Sequence, residues 1–177
     1  PQTREGEKKC IAPYYVADSR IEGFRGSHFL SGSCTQDYGS VTLMPLLTDA
    51  KLGAAERSST FRRSSEIAHP YIYKIKRTNS NIHTKITGTA RAGVMRFRYP
   101  KGKNAWIAVE NNAPQGGGYI RIDAAGQEIT GANAVHRLYA GNGKPAGFSG
   151  YFVIQFNRPF KVGGTWSGAR RSNGATR

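Results

Sequence analysis

The residues best suited to chemistry lie in one stretch, Gly23 to Gly39, which reads GFRGSHFLSGSCTQDYG. It gathers four glycines, four serine or threonine hydroxyls, His28 and Asp37 into 17 positions. An apolar, strand-like segment follows at once, Ser40–Leu46. Glycine at this density lets a backbone approach a ligand or a neighbouring domain closely. A polar loop placed before a buried strand is a common seat for binding groups. The same composition also suits a tight connection whose side chains satisfy only their own backbone.

Catalytic constellations are thin. Acid–base hydrolysis needs paired acidic and basic groups, most simply two carboxylates, one protonated and one ionised. Asp37 has no evident sequence partner, Glu66 and Glu110 sit at expected strand boundaries, and Glu128 lies in a polar hairpin. No G-x-S-x-G is present, and Cys34 near His28 is only a sequence proximity. The histidines, His28, His69, His83 and His136, are scattered without zinc-ligand spacing. Cys10 and Cys34 read equally well as two thiols or as one disulfide.

The second strong signal is charge. Lys and Arg total 26 against 11 acidic residues, a formal net charge of +15. Such a surface attracts polyanions, and non-specific binding that weakens with salt is expected. The basic residues are spread rather than clustered, however. On strands, Lys74 and Lys76 share one face, as do Arg96 and Arg98. Their alternation with Tyr73, Ile75, Phe97 and Tyr99 is the pattern of a sheet wet on one side. No zinc-finger, RNP1 or helix-turn-helix pattern is present. No apolar run reaches the roughly 20 residues of a membrane span, and no basic-plus-apolar leader opens the chain.

The elements that must position the loop follow period two. Strands are expected at Lys9–Val16, Ser40–Leu46, Tyr71–Arg77, Ile82–Arg91, Val94–Tyr99, Ala105–Glu110 and Tyr119–Asp123, then at Glu128–Thr130, Ala134–Tyr139 and Gly150–Asn157. Turn-rich pieces such as Thr78–Asn81 and Ala113–Gly118 separate them. About ten short strands at this spacing predict an all-β, antiparallel β-sandwich over residues 1–166. Asp49–Arg57 is the only helical candidate. Residues 167–177 (SGARRSNGATR) lack apolar anchors and are expected to form a flexible basic tail or linker.

The wording of several segments resembles the N-terminal β-sandwich domain of glycoside hydrolase family 92, the calcium-dependent exo-α-mannosidases. Gly23 to Gly39, leading into Met44-Pro45, is similar to that family's G-F-x-x-(S/T)-H, L-S-G and D-Y-G sequence before a strand ending in Met-Pro. Ser65–Tyr73 is similar to its E-x-A-x-P-x-Y-Y segment, Ile82–Pro100 to its E-L-T-A-T hairpin, and Gly150–Phe160 to its Y-F-x-x-x-F-x-(K/R)-P-F strand. The ordered matches run from about residue 19 to residue 165. Lys85 stands where the family tends to have Glu, and the loop is a residue or two longer near Phe29 and Cys34.

The resemblance implies a supporting role. Family members carry their general acid, general base and calcium ligands in a later helical domain, so no cofactor is expected within this chain. His28 and Asp37 are the carried-over candidates for bonding sugar hydroxyls, with Phe24, Phe29 and Tyr38 as rings that offer a face to a sugar. The implied partners are the helical catalytic domain and mannose-containing glycans, in a secreted, periplasmic or extracellular setting. By the same resemblance, the sandwich's usual N-terminal start is expected to be missing before Pro1. A free-standing basic module for glycans or polyanions is the alternative.

Overall fold

The computed structural model describes residues 2–3, 16–25, 41–112, 116–136, 144–168 and 170–175. The chain is all-β and built from antiparallel sheets. The first half holds β1 (Gln2–Thr3), β2 (Arg20–Gly23), β3 (Val41–Leu46), the single turn α1 (Ala54–Arg57), β4 (Ser59–Thr60), β5 (Ile67–His69), β6 (Ile72–Lys76), β7 (His83–Gly88) and β8 (Gly93–Arg98). Then come β9 (Trp106–Asn111), β10 (Tyr119–Asp123), β11 (Glu128–His136), β12 (Pro145–Gln155), β13 (Gly164–Ser167) and β14 (Arg170–Asn173). Their sheet orders are β1-β2-β4, β3-β9, β5-β6-β7-β8, β10-β11-β12 and β13-β14.

The β3–β9 pair explains why Val41–Leu46 reads as an unbroken apolar run. One side of the pair, Met44, Leu46 and Ala108, packs with Ile21, Phe24, Phe61 and Ile75. The other side, Leu43 and Val109, packs with Ile129 and against Ile120, Ile122 and Ile154 of the β10–β12 sheet. A strand buried on both faces shows no alternation. Phe97 and Met95 of β8 pack against both clusters, so the two cores are joined.

Several expectations are corrected. The helix expected over Asp49–Arg57 is one turn, because Gly53 is extended at φ −62°, ψ 143°. Glu128–Thr130 and Ala134–Tyr139 are not two strands; β11 runs through both as far as His136, with its register shifting between Ala134 and His136. Gly131 keeps that strand continuous. A Cβ there would stand 2.3 Å from Phe152 Cζ and 2.5 Å from the Tyr119 carbonyl oxygen. The expected strand Lys9–Val16 lies outside the described residues except for Val16, which sits in a turn.

The residues expected as a tail are different again. Residues 164–173 form the β13–β14 hairpin, pairing Thr165 with Ser172 and Trp166 with Arg171. Trp166 packs on the first core cluster, and Arg171 forms an ion pair with Asp49 at 2.5 Å. Both ends of that ion pair are partly exposed, so it contributes little stability by itself.

Candidate functional site

The polar loop leaves β2 and returns into β3, and the structure defines its neck. The Phe24 N–H donates to the Leu43 carbonyl, and the Leu43 N–H donates to the Phe24 carbonyl, each at 2.9 Å. Close approach at the neck depends on Gly23, since a Cβ there would fall 2.2 Å from Thr42 Cγ2. The Phe24 ring is 0 % exposed, with its centroid 6.2 Å from that of Phe97. Phe24 therefore anchors the loop from inside the core instead of offering a ring to a sugar, and its full burial contributes roughly 2–3 kcal/mol. His28, Phe29, Asp37 and Tyr38 lie outside the described residues, as do Cys10 and Cys34.

Beneath the neck is a polar network that the sequence reading missed. Thr42 Oγ1 donates to Asn112 Oδ1 at 2.8 Å, and Asn133 Nδ2 donates to the Asn112 carbonyl at 3.2 Å. Thr42 and Asn133 are both buried. Next to Thr42 in the ladder is Glu110, which forms an ion pair with the buried Arg57. Arg57 also donates to the carbonyls of Glu22 at 3.1 Å and Leu52 at 2.8 Å. Buried polar groups persist only when bonded in this way. The available signal was Asn133, a polar amide in the middle of an apolar strand.

Two further carboxylates, Glu66 and Asp49, are engaged structurally. Glu66 accepts from Arg63 and from the Tyr73 hydroxyl, both at 2.7 Å. Asp49 is held below the usual carboxylate range by its hydrogen bond from Arg171. Among the described residues, no three of His, Cys, Asp and Glu stand together as metal ligands. Among the same residues, no helix is long and apolar enough to cross a membrane.

Two sheet faces stand out beyond the neck. Across β6, β7 and β8 the register aligns Lys74, Lys85 and Arg96 in one row, and Lys76, His83 and Arg98 in the next. The opposite face of these strands carries Ile75, Thr84 and Phe97 into the interior. On the β10–β12 sheet, Tyr119 and Tyr151 flank Ala132, and Val153 follows two residues on. Tyr151 and Val153 are 73 % and 66 % exposed.

The fold and its Met44-Pro45 strand agree with what the whole chain matches. Residues 1–177 fit the glycosyl hydrolase family 92 N-terminal domain. This chain belongs to family 92. Among solved structures it is similar to the family GH92 inverting mannosidase of Bacteroides thetaiotaomicron VPI-5482, at 31% identity and TM-score 0.80, covering 99% of this chain and 22% of that one. A second family GH92 α-mannosidase of Bacteroides thetaiotaomicron aligns over 76% of this chain and 19% of its own, at 21% identity and TM-score 0.63. The family's glycosyl hydrolase ccman5 aligns over 99% of this chain and 24% of its own, at 20% identity and TM-score 0.73. The family 92 domain thus spans about a fifth of the length of these structures. A search of the curated proteins finds no match.

Proposed function

We propose that this family 92 domain is the non-catalytic β-sandwich portion of an exo-α-mannosidase, docking on a helical catalytic domain and helping to shape the mannose site. The observation that carries the reading is the match over residues 1–177 with a domain that forms 22% of an inverting mannosidase. An inverting reaction needs an acid and a base carboxylate held apart by room for a water. Here Glu110, Glu66 and Asp49 are each paired with an arginine, which favours placing the acid and base outside this domain. By the family resemblance, His28 and Asp37 would bond mannose hydroxyls and Phe29 and Tyr38 would offer ring faces to the sugar.

Docking is supported by the outer face of the β10–β12 sheet. Exposed Tyr151, Val153 and Tyr119 on one surface are the kind of patch that marks a protein contact. Light scattering on the 177-residue chain tests this. Self-association is expected, and Tyr151→Ser with Val153→Ser should return it to a monomer; a compact wild-type monomer would count against docking through this face. The alternative, a free-standing polyanion-binding module in an extracellular or periplasmic setting, draws on the two basic rows of β6–β8. Like charges placed directly across strands lower stability, and a bound anion would offset that repulsion.

A further inference from the structure

A cleft of about 270 Å³ opens between the end of β3, α1 and the β6–β7 turn. Arg20, Lys51, Arg57 and Arg77 line it, against one carboxylate, Glu56. Arg57 has its counter-ion in Glu110. Arg77 has none among the described residues, although it is only 1 % exposed. Its Nη2 donates to the Pro45 carbonyl, its Nη1 reaches Met44 Sδ at 3.5 Å, and its Nε has no partner. Among the described residues the Arg20 side chain bonds the neutral Ser58, with Nε at 3.0 Å and Nη2 at 2.5 Å from Oγ.

A buried guanidinium held by neutral dipoles alone is costly, because its desolvation is not offset by an opposite charge. Burial lowers the Arg77 pKa to about 10, which still leaves the group cationic at neutral pH. The cleft beside it therefore combines an uncompensated charge, two more cations at its walls and enough room for an ion with its waters. Planar guanidinium forks match the paired oxygens of tetrahedral anions better than they match any neutral ligand.

We propose that this cleft binds a small oxyanion of the phosphate or sulfate class, as the free ion or as an ester group on a sugar, through Arg20 and Lys51 at its wall, with the buried charge of Arg77 behind them. The proposal does not depend on the mannosidase reading. Glu56 opposes the anion, so Glu56→Gln should tighten binding.

Isothermal titration of the 177-residue chain with inorganic phosphate, sulfate, glucose 6-phosphate and glucose, at fixed ionic strength in chloride, tests the proposal. Phosphate and sulfate should bind and glucose should not. Glucose 6-phosphate binding about tenfold tighter than phosphate would assign the ester; equal or weaker binding would assign the free ion. Arg20→Gln and Lys51→Gln alter the cleft wall, and each should weaken phosphate by about tenfold, the scale of one charge-assisted hydrogen bond. Because Arg77→Met alters a buried position, these wall variants are the decisive ones. Lys85→Gln with Arg96→Gln should leave the affinity unchanged. No heat beyond the chloride control, or phosphate binding lost in the β7–β8 variant but not in the wall variants, would overturn it.

Discussion

Phe24 and Leu43 exchange two backbone hydrogen bonds, each 2.9 Å, across the neck of the polar loop. That pairing fixes where the loop starts and ends, and it ties both ends to the buried core. Phe24 lies on the inner side, against Phe97, while Thr42, the neighbour of Leu43, reaches the Asn112–Asn133 network. Two backbone hydrogen bonds to the core thus meet at the point where β2 and β3 leave the described residues.

The neck should be sensitive to a single methyl group. Gly23→Ala places a Cβ 2.2 Å from Thr42 Cγ2, so the strands must part. A loss of about 1–3 kcal/mol is expected, the scale of overpacking in a filled core. Urea denaturation of both proteins measures it, and an unchanged midpoint would mean that the neck yields freely.

Arg77 and Tyr99 should make opposite contributions to stability at high pH. Burial lowers the Arg77 pKa to about 10, with Tyr99 partly opposing. Above that pH the unfolded chain holds more protons at this group, so its contribution to stability rises with pH. Burial raises the Tyr99 pKa, with Arg77 partly opposing. Above its ordinary value of about 10 the folded chain holds more protons there, so that contribution falls with pH. Tyr99→Phe should therefore lose about 1 kcal/mol at pH 7, from its hydroxyl's 2.6 Å bond to the Trp106 carbonyl, and decline less steeply above pH 10. Arg77→Met should decline more steeply there. Denaturant melts from pH 8 to 11 read both slopes.

The basic rows predict salt-controlled binding. Heparin or duplex DNA should be held at low salt and released before about 0.5 M, since neutralised phosphates release counterions. No preference among DNA sequences is expected, because the rows present charge without stacked aromatics. Lys85→Glu with Arg96→Glu reverses two neighbours in one row and should lower the salt needed for release. Retention well above 0.5 M, or discrimination between DNA sequences, would contradict this.

Much of the architecture was legible because alternation is a local signal. Tyr119–Asp123 appears with the expected limits, and Ser40–Leu46, Tyr71–Arg77 and Val94–Tyr99 shift by only a residue or so. What escaped depends on distant partners. Arg20–Gly23 and Ser59–Thr60 are short strands with weak patterns of their own, and each is defined by the other across β2–β4. The β13–β14 hairpin is polar in sequence, yet Trp166 and the Arg171–Asp49 pair tie it down. The buried cation Arg77 looked like one more basic residue on a wet strand. Only tertiary packing puts it beside Met44 and Pro45.

If this domain supports catalysis without performing it, mannose release should require both parts of a family 92 enzyme. The 177-residue chain and the remainder of its parent enzyme would be prepared individually and assayed with calcium and an aryl α-mannoside, alone and mixed. Neither part alone should release mannose at the parent's rate, and mixing should restore activity, more weakly when the chain carries His28→Ala or Asp37→Ala. Calcium-dependent mannose release by the 177-residue chain alone, or full activity of the remainder without it, would contradict the account.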